Sequence, residues 1–192
     1  MVEDKKLSEK IYLFTGENHY ALQKTLSGRM KAFQEKNWND SVFIFNSENW
    51  DYTQVKQTIF GWWFFSTNKL VIVYWAPLDT EKSNTLKADE IEKLTEDLVN
   101  LSFPMETLLV LVSYKPDKRW RLYKQIQSVK DFPLLKDFEL KTFVRDESKD
   151  LWLSLDVIDK LIEKVWDDQY RLVTEIDKLR CWKKVNQKDI DC

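Results

Sequence analysis

Two stretches of this chain are apolar without interruption: Leu-Val-Ile-Val-Tyr at 70–74 and Thr-Leu-Leu-Val-Leu-Val at 107–112. A strand with one wet face alternates apolar and polar residues. A continuous run rich in valine, isoleucine and leucine needs cover on both faces. Parallel sheets meet that need, because every crossover between parallel strands lays a helix against the sheet. These two runs therefore restrict the chain to a sheet with helices on both sides.

The remaining pattern supplies the crossovers. Ile11 to Phe14 is a short apolar run ending at Thr15-Gly16, a strand entering a turn. Leu22, Leu26, Met30 and Phe33 follow at helical spacing. Val42 to Phe45 reads as a second strand, and Tyr52, Val55 and Ile59 as a short helix. Ile91, Leu94, Leu98 and Leu101 line one helix face. Residues 119 to 129 predict a helix with Leu122 and Ile126 inward, and Glu139 to Phe143 a last strand. Strands alternating with helices define an α/β domain with a mostly parallel sheet.

Beyond Arg145 the pattern changes. Arg145 to Asp150 reads as a charged linker. Ile158, Leu161, Ile162 and Val165 form one helical stripe, and Leu172, Val173, Ile176 and Leu179 a second. Gln187-Lys188-Asp189-Ile190 looks like the start of a third helix. The expected division is an α/β domain over 1–144 and a small helical domain over 145–192.

The charge balance excludes a broadly basic nucleic-acid binder. Lys and Arg total 30 against 32 Asp and Glu, a net charge of −2, so any nucleic-acid contact has to come from a local patch. No run reaches the roughly 18 apolar residues of a membrane span, and the charged first ten residues do not form a signal core. Cys181 and Cys192 lack metal-ligand spacing, and with no signal sequence they suit a reducing cytoplasm. The expectation is a cytoplasmic protein without membrane contact, metal or cofactor.

Glycine and tryptophan are unusual. Glycine at about 7% of residues would number roughly 13 here, yet the chain has 3, with 9 tryptophans. Trp38, Trp120 and Trp166 stand where a turn or helix end favours glycine. Two readings stay open: a tryptophan-rich protein of a glycine-poor lineage, or a source that reads the UGA codon as glycine.

The strand, glycine and helix at 11–22 invite a phosphate-loop reading, which the residues do not support. Such a loop needs several glycines and a lysine followed by Ser or Thr. Thr15-Gly16-Glu17-Asn18-His19 has one glycine, no such lysine, and a glutamate that repels phosphate. His19 is the sole histidine, so no Ser-His pair or His-rich metal site has its parts, and a surface or capping place is expected for it. The carboxylates are scattered, and no catalytic residue is assigned.

Two stretches remain as candidate binding elements. Lys115, Lys118, Arg119, Arg121 and Lys124, interleaved with Trp120 and Tyr123, suit either a nucleic-acid backbone or a solvated helix face. Trp62, Trp63, Phe64 and Phe65 precede the uninterrupted apolar run at 70–74. Large aromatics there either fill the core or anchor a protein partner.

Four segments together resemble the delta subunit of bacterial DNA polymerase III, a clamp-loader subunit. They are Ile11-Tyr12-Leu13-Phe14-Thr15-Gly16-Glu17-Asn18; Phe64-Phe65-Ser66-Thr67-Asn68-Lys69 with the apolar strand after it; the strand at 107–112 followed by Lys115, Asp117, Arg119, Leu122 and Lys124; and Leu161-Ile162-Glu163-Lys164-Val165-Trp166-Asp167-Asp168, continuing to Leu172 and Glu175-Ile176-Asp177-Lys178-Leu179. Their order and spacing span nearly the whole chain.

The resemblance implies an AAA+-type, P-loop-NTPase-like parallel-sheet domain without a functional phosphate loop, followed by a small helical lid. It implies a non-catalytic subunit of a complex that as a whole is a nucleotidyltransferase. Its partners would be the sliding clamp, the other clamp-loader subunits and primed DNA within the complex. Phe64 and Phe65 match the family's hydrophobic wedge, with Trp62 and Trp63 flanking it. Against the family pattern, Trp166 replaces a helix-end glycine. The link at 143–156 is short, so the first lid helix is expected to be missing or reduced. The chain also stops before a collar domain, as in a fragment, an early-ended frame or a reduced protein. Two other functions stay open: a nucleotide-binding P-loop-like enzyme and a DNA-binding accessory module.

Overall fold

The computed structural model describes residues 7–37, 41–46, 48–61, 68–74, 88–165 and 168–188. The chain forms two compact units, Met1–Phe132 and Pro133–Cys192.

The first unit runs β1 (Ile11–Thr15), α1 (His19–Lys36), β2 (Val42–Phe45), α2 (Tyr52–Phe60), β3 (Lys69–Tyr74), α3 (Ala88–Asn100), β4 (Thr107–Val112), α4 (Arg121–Gln125) and β5 (Ser128–Asp131). The five strands form one sheet in the order β2-β3-β4-β1-β5, and every neighbouring pair is parallel. The continuous runs occupy β3 and β4, in register from Lys69 opposite Thr107 to Tyr74 opposite Val112.

Alternation sends successive side chains to opposite faces. Leu13, Val71, Val73, Leu109 and Leu111 pack with Val55, Ile59, Leu94, Leu98 and Leu122, so α2, α3 and α4 cover one face. Phe14, Leu70, Ile72, Val110 and Val112 pack with Leu22 and Leu26 of α1 on the other. Each fully buried Val, Leu or Ile contributes roughly 1.5–3 kcal/mol, which is why these two strands hold the centre of the sheet. Helix starts are set locally. The Asn18 side chain accepts from the Ala21 N–H at 2.9 Å, and that of Asp51 from the Gln54 N–H at 2.8 Å, satisfying donors a helix leaves open.

The region after β4 differs from the sequence expectation. The helix expected over 119–129 is only α4, and the last strand is β5 rather than Glu139 to Phe143. Ser128–Asp131 has one apolar residue, Val129, because it is an edge strand with mostly exposed side chains. Glu139 to Phe143 lies within α5 (Asp137–Glu147). Its buried residues are Leu140 and Val144, four apart on one helix face, and the Lys136 N–H donates to Glu139 Oε2 at 3.3 Å at its start.

The second unit is α5 with α6 (Leu155–Val165) and α7 (Gln169–Lys188). Leu140, Val144, Ile158, Val165, Leu172 and Ile176 form its core. Both expected stripes are present, as α6 and α7. Gln187 and Lys188 continue α7 instead of opening a new helix, and the third member, α5, lies upstream. The unit boundary accordingly falls at 132/133 rather than 144/145, and 145–147 is helix, not linker. Arg180 closes the unit: its guanidinium donates to Asp150 at 2.9 and 3.0 Å and to the Glu147 carbonyl.

Candidate functional site

In an open parallel sheet, ligands settle where neighbouring strands send their helices to opposite faces. Here that point lies between β1, whose helix α1 joins one core layer, and β4, whose helix α4 joins the other. At the carboxyl ends of these strands a phosphate loop would need a long glycine-rich turn with free amides. Only Gly16, Glu17 and Asn18 separate β1 from α1.

That turn satisfies itself. The Gly16 N–H donates to the Tyr114 carbonyl at 3.2 Å, the Asn18 N–H to the Phe132 carbonyl at 2.9 Å, and the Ala21 N–H to the Asn18 side chain. Gly16 adopts φ +119, and a Cβ there would stand 2.2 Å from the Phe132 oxygen. His19 opens α1 with its ring 4.0 Å from that of Tyr114. Glu17 meets Lys115 at 3.7 Å. A depression of about 400 Å³ remains beside the turn, bordered by Lys115, Lys118, Tyr123 and Asp131. The Gly16 and Asn18 amides are engaged and the charges around the depression are mixed, an arrangement unlike a triphosphate cradle.

The second candidate lies between α2 and β3. Trp62, Trp63, Phe64 and Phe65 fall outside the described residues; the chain on either side of them is fixed. Lys69, only 4% exposed, opens β3 and donates from Nζ to the Thr58 carbonyl at 2.9 Å and the Gly61 carbonyl at 2.7 Å. Thr107 Oγ1 donates to the Ile59 carbonyl at 3.1 Å. Three carbonyls that the end of α2 leaves without helical partners are thus satisfied by the first residues of β3 and β4. A cation suits that end of the helix dipole, while burial pushes the Lys69 ammonium below its ordinary pKa. The Lys69 N–H donates to Glu106 O at 2.8 Å, and Asn68 Nδ2 to Asn37 Oδ1 at 3.0 Å.

The start of α2 is held equally well. Asp97 of α3 accepts from Tyr52 Oη at 2.5 Å and from Lys56 Nζ at 2.9 Å. Burial first, then the Asp97 bond, raises the Tyr52 pKa, and the Asp97 bond raises that of Lys56. Trp50 Nε1 donates to Glu90 at 3.2 Å. Lys69, Thr107 and Asp97 were not assigned these roles from sequence. The one available signal was a lysine at the head of an otherwise apolar strand.

The basic stretch is dispersed. Arg119 is locked to Asp117 by bonds of 2.6 to 3.1 Å, which hold the Asp117 carboxyl down at about 2. Arg121 borders a separate depression with Glu92 and Glu96, Lys124 is exposed on α4, and Lys115 and Lys118 stand beside the β1 turn. Trp120 packs against the core under α2 and α3. Among the described residues no His, Cys, Asp and Glu cluster could hold a metal, and no helix is long and apolar enough to cross a membrane.

The sheet order and the short turn define a five-stranded parallel α/β unit in which three residues join β1 to α1, followed in the chain by a helical unit. The same architecture occurs in the Bacillus subtilis DNA clamp loader delta protein YqeN, with a TM-score of 0.60 and 20% identity. That match covers 90% of this chain and 53% of the Bacillus chain, so the protein spans about half the length of that relative. A RuvB mutant from Thermotoga maritima matches with a TM-score of 0.59 at 9% identity, over 92% of this chain and 56% of that one. No curated protein sequence matches. The sequence profile of the DNA polymerase III delta subunit matches residues 12–132, and the chain belongs to that family.

Proposed function

We propose that this protein is a clamp-loader subunit that binds and opens a sliding clamp during DNA replication, without catalysing a reaction itself. The observation that carries the reading is the family match over nearly all of the α/β unit. The wedge would be Phe64 and Phe65, flanked by Trp62 and Trp63. Their rings would enter an apolar pocket on the clamp and favour the conformation in which one clamp seam opens, a shift of equilibrium by differential binding. The anchored frame of Gly61, Asn68 and Lys69 supports this assignment, because a fixed base lowers the ordering cost of presenting rings to a partner.

The other clamp-loader subunits and primed DNA belong to the same proposal, as does a cytoplasmic location. A nucleotide-hydrolysing role is disfavoured by the three-residue turn, whose Gly16 and Asn18 amides already bind carbonyls. The test is surface plasmon resonance against the cognate clamp, with a Phe64→Ala/Phe65→Ala variant whose fold is verified by circular dichroism. Binding by the parent and a loss of about thirtyfold or more in the folded variant, roughly the 2 kcal/mol or more of hot-spot residues, is the expected result. Equal binding by both proteins would remove the wedge.

A further inference from the structure

The sheet ends at β5, whose outer edge pairs with no strand among the described residues. The Phe132 N–H donates to Thr15 and its carbonyl accepts from Asn18, so even-numbered residues here turn their backbone groups inward. By alternation the N–H and C=O of Val129 and Asp131 point to the open edge. Lys130 projects to one face, with Nζ 5.0 Å from the centre of the Phe132 ring and 5.9 Å from that of Phe14, and the Arg29 guanidinium approaches the same Phe14 ring at 4.9 Å. Val129, 41% exposed, projects to the other face near Lys118. None of Arg29, Lys118 and Lys130 is paired with a carboxylate among the described residues. Lys115 is paired with Glu17, and Asp131 is the one acidic residue of the strand.

We propose that the β5 edge receives an extended acidic peptide as an added strand. Val129 and Asp131 would supply backbone hydrogen bonds, and Arg29, Lys118 and Lys130 would meet carboxylates on the two faces. Charge selects this occupant over the others. A second copy pairing through β5 would set Lys130 near its equivalent, the repulsion that lysines on edge strands impose. A single-stranded nucleic acid needs open rings to stack on, but Phe14 is fully buried and Phe132 is 7% exposed. The proposal goes beyond the clamp reading and does not depend on it.

The test uses the full chain and a short dye-labelled peptide alternating valine and glutamate. Expected are salt-sensitive binding by fluorescence anisotropy and slowed hydrogen exchange at the Val129 and Asp131 amides. Val129→Pro removes one outward donor at an edge position where proline is tolerated, and should weaken binding about fivefold, the share of one hydrogen bond. Lys130→Glu should weaken the glutamate peptide and strengthen a valine–lysine one, which keeps the proposal testable if the proline variant does not fold. Unchanged exchange at both amides, equal binding of a proline-interrupted peptide, or protection of these amides by an oligonucleotide and not by the peptide would overturn it.

Discussion

Lys69 Nζ lies 2.7 Å from the Gly61 carbonyl oxygen, so the first residue of β3 holds the residue that follows α2. The ammonium is buried, and its hydrogen-bond partners are the Gly61 and Thr58 carbonyls rather than a carboxylate. Lys69→Met keeps the apolar stem and removes the donor. It should destabilise the protein by about 2 kcal/mol, the cost of leaving buried acceptors unsatisfied. Urea denaturation followed by circular dichroism measures this, and a change below about 0.5 kcal/mol would show that water replaces the ammonium without loss.

The same lysine gives a pH dependence with a definite sign. Its folded pKa lies below the ordinary 10.5 because burial disfavours the charge. The unfolded chain therefore binds more protons between the folded pKa and 10.5, and the stability contributed by Lys69 rises with pH across that window. The difference in unfolding free energy between the parent and Lys69→Met should grow as pH approaches 10.5. A difference that shrinks would place the folded pKa above the ordinary value.

Much of this frame was legible in the sequence. The runs that became β3 and β4, and the apolar spacings of α1 and α2, read directly because their side chains face a packed core. The failures cluster where burial is partial. β5 escaped notice because an edge strand needs little apolar content. The Leu140 and Val144 face of α5 was missed because the expected strand, Glu139 to Phe143, took in Leu140 and stopped one residue short of Val144. Lys69 was visible as a residue but not as a cap, since its partners lie 8 and 11 positions earlier in the chain.

Gly16 is the position where a side chain is least tolerable. Its φ of +119 is outside the range that L residues normally adopt, and a Cβ on it would come within 2.2 Å of Phe132 O. Gly16→Ala should cost about 3 kcal/mol through backbone strain and displacement of Phe132. Because the Gly16 and Asn18 amides bind neighbouring carbonyls, the loss should come with faster exchange at both. A stable variant with unchanged exchange would mean that the turn relaxes freely.

Asp117 and Arg119 make a separate electrostatic prediction. The Arg119 side-chain bond is the main reason the Asp117 carboxyl titrates at about 2 instead of the ordinary 3.8. Any stability this group contributes is present above 3.8 and lost as pH falls through about 2. In Arg119→Ala the carboxyl should return toward 3.8, as read by carbon NMR titration. An unmoved titration would assign the depression to the other bonds around Asp117.

Trp152 bears on the scarcity of glycine. It is 89% exposed and adopts φ +54, so its ring gains little burial while its backbone occupies the left-handed region, which costs a non-glycine residue roughly 1–2 kcal/mol. Trp120, singled out from sequence as a glycine-like place, has φ −62 and packs against the core; Trp38 and Trp166 lie outside the described residues. Trp152, then, carries the clearest structural sign of a glycine position. Trp152→Gly should raise stability by about 0.5–1 kcal/mol, the relief of strain less the added freedom of the unfolded chain. Trp120→Gly, which opens a gap in the core, should lower it by about 3 kcal/mol or more. Urea midpoints of the two variants decide the matter: opposite signs separate a misplaced tryptophan from a packed one, while a loss at both positions would make Trp152 a contributor to stability in its own right.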